Sequence, residues 1–370
     1  MGQQKHAQPK PDLVLVVIIF ALLVIGIMMV YSASAILASY KFDDSFYFAK
    51  RQLLFASIGI LAMFIVSKVP YQTWRYYAKP ILICCFILLI AVLIPGIGMV
   101  RGGARSWIGI GAFSIQPAEF MKLGLIIFLS TYLAEKQRYI QSLKQGFLPL
   151  TLLIFTSFGL IMLQPDLGTG VVLVLSCFIL LFVAGAKINH FATLGLLGMV
   201  GFAGLIISAP YRINRILAFL NPWEDPLNNG FQIIQSLYAI GPGGLLGMGL
   251  GNSLQKFFYL PEPHNDFIFA IIAEELGFIG GSFLILLFFL LLWRGIRVGL
   301  TAPDKFGMLL GLGITSMICL QAMINISVVI GLIPVTGITL PFLSYGGSSL
   351  TLTLASVGIL INVSRFSHIE

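Results

Sequence analysis

The sequence predicts an all-α polytopic membrane protein, with about ten transmembrane helices and a long extracytoplasmic loop between the seventh and the eighth. Three observations predict it. The 370 residues are 58% hydrophobic and only 10% charged, with a mean hydropathy of +0.98, whereas a soluble surface needs about a quarter charged residues. Several apolar runs approach or exceed the roughly 20 residues that a helix needs to cross about 30 Å of hydrocarbon. A run such as Phe283 to Trp293 is apolar on every face, which excludes an outer-membrane barrel, because barrel strands alternate apolar and polar residues over about 10 positions.

The first span, at about 13 to 36, follows Lys5 and Lys10 and runs into Ser32-Ala33-Ser34-Ala35. That ending has the small residues of a signal-peptidase site. The apolar run from Leu13 to Tyr31 exceeds the roughly 7 to 15 residues of a signal-peptide core, so a retained span is expected. Charges and Pro/Gly breaks then delimit spans at about 52–69, 80–98, 116–134, 147–164, 167–186, 189–209, 267–293, 306–333 and 345–364. Together they predict one integral membrane domain over residues 1–370, with 1–12 as a cytoplasmic tail and 210–266 as the large loop.

An even number of spans puts both termini on one side, and the positive-inside rule chooses which. Lys68, Arg75, Lys79, Lys136, Arg138, Lys144, Lys187, Arg294, Arg297 and Lys305 all fall on the side of the termini, which is therefore expected to be cytoplasmic. The formal charge of +8 does not indicate a nucleic-acid partner, because the basic residues are scattered in ones to threes between apolar runs. Cys84, Cys85, Cys177 and Cys319 lie inside apolar runs and read as small buried hydrophobes, with neither a disulfide framework nor metal spacing.

The connection from about 210 to 266 is too long for a simple turn, and such loops are often functional. Within it, Phe231 to Ile240 reads either as a short interfacial helix, with Gln232, Gln235 and Ser236 toward water, or as a re-entrant, irregularly packed segment. The glycine-rich run from Gly241 to Gly251 has neither a preceding strand nor a Lys-Ser/Thr ending, so it does not match a phosphate loop. Close backbone packing is the expected use of its glycines. The chain shows no internal repeat at a fixed period, which weakens an inverted-repeat transporter architecture.

Ionisable groups inside spans cost about 2.5 to 3.5 kcal/mol each on insertion scales, which makes them functional candidates. Glu119 and Lys122 stand three apart on one face of the fourth span and neutralise each other, either to fix helix packing or to tune a polar cavity. Glu274 and Glu275 are adjacent in the eighth span and cannot share a face, so one of them is expected to meet a polar partner inside the bundle. Asp266, at the start of that span, has two readings. It either caps a helix N-terminus, or it is a partly desolvated carboxylate, its pKa raised from about 3.9, that serves as a general base toward a substrate hydroxyl. His264 reads as a loop histidine, and no cluster of His, Asp and Glu has metal-site spacing. Arg101, Arg105, Arg212 and Arg215 lie in connections on the Asp266 side, where they suit either phosphate oxygens or anionic headgroups.

Several strings, in order along nearly the whole chain, resemble the SEDS family, the shape, elongation, division and sporulation proteins that include FtsW, RodA and SpoVE. They are Arg105-Ser-Trp107, Gln116-Pro-Ala-Glu119-Phe-Met-Lys122, Gln164-Pro-Asp-Leu-Gly-Thr169, Asn221-Pro-Trp-Glu-Asp-Pro226, Leu260-Pro-Glu-Pro-His-Asn-Asp266, Glu274-Glu-Leu-Gly277 and Pro341-Phe-Leu-Ser-Tyr-Gly-Gly-Ser-Ser349. The wording of Asn221 to Pro226 and of Gln235 to Gly241 is closer to the FtsW and SpoVE branch than to RodA. Asn265 departs from the pattern, since many members carry Thr there, and it leaves Asp266 in place.

The resemblance implies a ten-helix fold in the cell membrane and a peptidoglycan glycosyltransferase that polymerises lipid II during division or sporulation. It also implies a class B penicillin-binding protein as transpeptidase partner, alongside other division or sporulation membrane proteins. Carried over by motif, Asp266 is the catalytic base, and Glu119 with Lys122 is an essential polar pair in a cavity. Arg105, Trp107, Arg212, Arg215, His264 and Ser344 are the further substrate-binding or cavity residues. Asp266 would take the proton of the acceptor sugar's 4-hydroxyl as it attacks the donor's anomeric carbon with inversion, while arginines or a divalent cation such as Mg or Mn stabilise the departing diphosphate. The competing classes are a flippase or transporter of the lipid-linked precursor, and a scaffold, which leaves the polar groups in the spans unexplained.

Overall fold

A computed structural model describes residues 11–101, 104–110, 113–207, 219–228, 230–257 and 259–367. The helices follow the apolar runs: α1 (Leu13–Phe42), α2 (Tyr47–Lys68), α3 (Tyr71–Ala91), α4 (Pro117–Glu135), α5 (Leu148–Met162), α6 (Leu167–Val183), α7 (Ile188–Ile207), α8 (Phe231–Ile240), α9 (Ile268–Leu300), α10 (Lys305–Val329) and α11 (Gly347–Phe366). Among the described residues, eight helices are long and apolar enough to cross a membrane: α1 to α4, α9 to α11, and α5 together with the turn Leu143–Phe147 that leads into it. This is a multi-pass, all-α architecture. α10 packs against α4, α6, α9 and α11 and is buried along most of its length, which makes it the centre of the bundle.

Three boundaries differ from those the sequence predicts. α1 continues to Phe42, because Ser32-Ala33-Ser34-Ala35 carries on the helix; Ser32, Ala33 and Ser34 are buried, and the Ser34 hydroxyl donates back to the Val30 carbonyl at 2.6 Å. α3 begins at Tyr71, not near 80, since Pro80 lies inside the helix without ending it. Transmembrane helices tolerate an interior proline where neighbouring groups satisfy the freed backbone. α9 runs past Arg294 and Arg297 to Leu300; Arg294 turns to Asp12 at 2.8 Å and Arg297 lies over the Trp293 ring.

The connection before α4 departs from the all-helical expectation. It holds a small antiparallel sheet, β1 (Gly98–Arg101), β2 (Ala104–Ile110) and β3 (Phe113–Ile115), with Met99 opposite Trp107 and Ile108 opposite Ile115. The sheet sits against α4 and α11. At the other face of the bundle, Asp12 joins the start of α1 to the ends of α9 and α11, through Arg294 and the Ser364 hydroxyl. The first and last described helices therefore begin and end on one face, and Asp266 precedes α9 on the opposite one.

On that opposite face α9 is interrupted at Gly277, whose φ of 67° and ψ of −166° belong to a region open almost only to glycine. A break inside a membrane strands backbone groups that no water can satisfy. The glycine-rich segment after α8 fills this need: the N–H groups of Met248 and Gly249 donate to the Glu274 and Glu275 carbonyls at 2.9 and 3.0 Å, and those of Phe278 and Ile279 donate to the Gly244 and Leu245 carbonyls at 2.8 and 3.2 Å. Phe231–Ile240 is a short helix, but Ser236, expected to face water, is buried and its hydroxyl donates to the Val329 carbonyl at 2.7 Å, because this side of the helix packs against the end of α10. The glycine run is packed, as expected, backbone to backbone into the interrupted helix.

Glu274 and Glu275 are both satisfied, where only one was expected to be. Glu274 accepts from the Ser253 hydroxyl at 2.5 Å and the Leu254 N–H at 2.8 Å; Glu275 accepts from the Ser32 hydroxyl at 2.7 Å and pairs with Lys256 at 3.0 Å. Adjacent positions point about 100° apart around a helix, and Ser253 reaches both, through its hydroxyl to Glu274 and through its N–H to Glu275 at 3.4 Å. A Cβ at Gly277 would lie 2.3 Å from the Gly247 nitrogen, whereas one at Gly159 on α5 would meet nothing within 4 Å. Gly277→Ala is therefore expected to reduce the yield of monodisperse protein severely, through backbone strain of about 1–3 kcal/mol and the clash. Gly159→Ala should match or exceed wild-type yield. Equal yields of the two variants by size-exclusion chromatography would contradict the packing described.

Candidate active site

Asp266 lies in the segment between the glycine run and α9. The N-terminal cap position of α9 is Phe267, which makes no side-chain cap bond, so the capping reading of Asp266 does not hold. Its carboxylate has its own backbone N–H as partner. Burial pushes the carboxyl up to about 7, opposed by that N–H and reinforced by the negative charge of Glu262. A carboxylate of this kind changes protonation near neutral pH and keeps lone pairs free to receive a proton.

The segment that carries Asp266 is stapled to the loop before α11. The Ser344 hydroxyl donates to the Asn265 carbonyl at 2.5 Å and accepts from the Leu340 N–H at 2.7 Å, and the Tyr345 N–H donates to the His264 carbonyl at 2.8 Å. Gln52 on α2 donates to the Ser344 carbonyl at 3.1 Å. His264 is buried against the rings of Phe48 and Tyr345. Burial pushes its pKa down to about 4, with Lys41 adding to the shift, so the imidazole is neutral at pH 7. Both Ser344 and His264 thus build the support of Asp266, and neither offers a charge to a phosphate.

Glu119 and Lys122 form an ion pair at 2.9 Å, buried to 7% and 2% exposure. They belong to a closed polar ring. Lys122 also donates to the Gln321 carboxamide oxygen at 2.6 Å, Gln321 donates to the Thr339 carbonyl at 3.0 Å, Thr339 and Ser349 hydroxyls meet at 3.4 Å, and Ser349 donates to Glu119 at 3.4 Å. Beside it, Gln116 donates to Asp166 at 2.6 Å, and Asp166 caps α6 through the Thr169 N–H. Burial raises the pKa of Asp166, and the charge of Glu119 adds to the rise. The ring joins α4, α10, the loop before α11 and α11 itself. The neutral members Gln321, Thr339 and Ser349 went unassigned in the sequence, although Gln321 is a polar residue in an otherwise apolar run.

Arg105 and Trp107 alternate on β2, so they share a face of the sheet, and both are half-buried. Arg212 and Arg215 lie outside the described residues. Among the described residues no three His, Cys, Asp or Glu side chains converge to hold a metal ion.

A family model described as cell cycle protein, covering FtsW, RodA and SpoVE, matches residues 13–369. The chain belongs to the SEDS family. Among SEDS proteins, it is 66% identical over 359 residues to stage V sporulation protein E of Bacillus subtilis strain 168, covering 97% of this chain and 98% of that one. It is 46% identical to the probable peptidoglycan glycosyltransferase FtsW of Trichlorobacter lovleyi, over 95% of this chain and 93% of that one. A solved chain from a peptidoglycan synthase complex that coordinates polymerization and crosslinking superposes with a TM-score of 0.79 at 33% identity, over 97% of this chain and 99% of the other. The rod shape determining protein RodA of Thermus thermophilus gives 0.72 at 30% identity, over 97% and 98%.

Proposed function

We propose that this chain is a peptidoglycan glycosyltransferase of the cell membrane that polymerises lipid II, with Asp266 as its general base. The observation that carries the reading is the Asp266 carboxylate itself: half-buried, poised near neutrality and free of any helix-capping duty. In the transfer, the acceptor sugar's 4-hydroxyl gives its proton to Asp266 as its oxygen bonds to the donor's anomeric carbon with inversion. The bond from that carbon to the lipid diphosphate breaks, and the diphosphate leaves with the electron pair. Such a leaving group needs no second carboxylic acid, and Arg105 with Arg212 and Arg215 is proposed to take up its charge. Glu119 and Lys122 keep the helices around the site in register. Similarity to stage V sporulation protein E and to FtsW supports a place in division or sporulation. The test is synthesis of glycan strands from lipid II by the purified protein with its partner in detergent, where transport is undefined. Absence of strands under conditions that support a related polymerase would refute the activity.

The partner is proposed to be a class B penicillin-binding protein, as the likeness to a chain of a polymerizing and crosslinking complex suggests. An apolar groove of about 650 Å³ opens between α9 and α10 and includes Phe288, Leu292, Thr315, Ser316, Ala322 and Met323. Small residues on such a wall let a neighbouring membrane helix approach closely.

Two measurements follow from this reading. Because the base works deprotonated, kcat/KM should rise with pH through about 7 and level off above it; a profile flat from about pH 6 to about pH 8 would count against Asp266. Stability moves the other way. The folded carboxyl binds its proton more tightly than an unfolded one with its ordinary value of 3.8, so this group's contribution falls as pH rises from about 4 to about 7. For orientation, both termini are proposed to be cytoplasmic. A cysteine at the exposed Asn228 should then label from outside intact cells and one at the exposed Gln141 should not; reversed labelling would place the Asp266 face inside.

A further inference from the structure

Asp266 lies outside any helix, yet its main chain is gripped from the central one. Gln321 and Asn325 stand one turn apart on α10. The Asn325 amide nitrogen donates to the Asp266 carbonyl and to the Ile338 carbonyl, at 2.7 Å each, with the residue only 1% exposed. Both partners are carbonyls, which only accept, so the orientation of this amide is fixed by its surroundings. Ile338 precedes Thr339, the residue that Gln321 holds, and Gln321 is in turn bound by Lys122. Polar contacts joined through the covalent Ile338–Thr339 link thus connect the Glu119–Lys122 pair to the peptide of Asp266.

We propose that Asn325 is a positioning residue for Asp266, setting where its carboxylate meets the acceptor hydroxyl. The inference rests on the reading of Asp266 as the base. The carbonyl that Asn325 holds is bonded directly to the Asp266 Cα, so a shift of that peptide swings the side chain. Among the described residues the hydrogen-bond partner of the carboxylate is its own N–H, so the main chain is the element that aims it. A misplacement of about 1 Å at a reacting group costs about 100-fold in rate. Asn325 is buried behind the peptide, so releasing it should act on the chemical step and leave substrate affinity in place.

A purely structural asparagine supplies the control. Asn362 on α11 is 3% exposed, donates to the Ser67 carbonyl and accepts from the Tyr71 N–H, both at 2.8 Å, at the face opposite Asp266. Asn325→Ala and Asn362→Ala are purified with the partner, and kcat and KM for lipid II are measured per folded molecule. The expected result is a fall in kcat of at least about tenfold for Asn325→Ala with KM within about twofold, and wild-type kcat for Asn362→Ala despite a comparable loss of thermal stability. Should Asn325→Ala fail to fold, Asn325→Asp keeps the shape while surrendering at least one of the two donated bonds, and its kcat should fall with KM unchanged.

Asp266→Asn, measured in parallel, separates the two ideas. Wild-type kcat in the Asn325 variants beside an inactive Asp266→Asn would overturn the positioning role alone. A fully active Asp266→Asn would overturn both. Equal loss of kcat in Asn325→Ala and Asn362→Ala would show that any buried asparagine has the same effect, and would also overturn the role.

Discussion

Asp266→Asn is expected to fold, reach the membrane and bind its partner, yet to polymerise lipid II at least about 100-fold more slowly than wild type, the lower end of what a general base contributes. Asparagine has the same shape and its carboxamide oxygen can accept the same backbone N–H, but it cannot take a proton from a sugar hydroxyl. Loss of a helix cap does not confuse the comparison, because α9 receives no cap from this side chain. The measurement is strand synthesis by the purified complex, with folding and partner binding verified by co-elution. A near wild-type rate would remove Asp266 from the mechanism and turn attention to Glu262 and Glu224. Each of these has an asparagine partner, Asn265 and Asn221 respectively, and lies exposed, so neither has the desolvation that readies Asp266.

Glu119→Ala and Lys122→Ala should each lower folded yield and activity sharply. Removing one member of a buried ion pair leaves the other charged and unpaired, at a cost of about 3–5 kcal/mol, a large share of the roughly 5–15 kcal/mol that holds a domain together. The surrounding ring sets the polarity: Lys122 donates to Gln321 and Glu119 accepts from Ser349. Exchanging the two residues restores charge balance but leaves a carboxylate facing the Gln321 oxygen, so the double variant should recover yield more than activity. Fluorescence-detected chromatography for yield, and turnover per folded molecule for activity, would decide it. A single variant with wild-type values of both would show that the pair is dispensable.

The helices were legible in the sequence because lipid leaves the backbone few ways to satisfy itself, and long apolar runs have one local solution. Asp266 and the Glu119–Lys122 pair stood out for the same reason, since ionised groups are costly near hydrocarbon. What stayed hidden is what costs little. Gln321 and Asn325 are neutral amides on an apolar helix, and their spacing marks a polar stripe without saying which distant carbonyls it meets. The interruption at Gly277 has no proline and no charge run to announce it; its partner strand of backbone comes from about 30 residues earlier, a pairing that no local pattern encodes. Ser344 and His264 drew attention through their motifs, and the structure uses them as fasteners behind the carboxylate. The β1–β3 sheet escaped because its strands are three to seven residues long.

The interruption of α9 also divides that helix into two pieces of unequal length. Below Gly277 the helix runs for about 23 residues, or some 34 Å at 1.5 Å per residue, enough to cross the membrane alone. Phe288 and Leu292, which line the apolar groove, belong to this inner length. Both pieces of α9 are tied to the glycine-rich segment, at Glu274 and Glu275 before the interruption and at Phe278 and Ile279 after it, so a neighbour that tilts the inner length pulls on the segment that also holds the outer piece. α10 is unbroken over 25 residues. It presents Cys319 and Met323 to the groove and Asn325 to the Asp266 peptide, as one stiff rod. Force applied in the plane of the membrane therefore has two routes toward Asp266, through α10 to the carbonyl that Asn325 holds and through the glycine-rich segment that bridges the two pieces of α9.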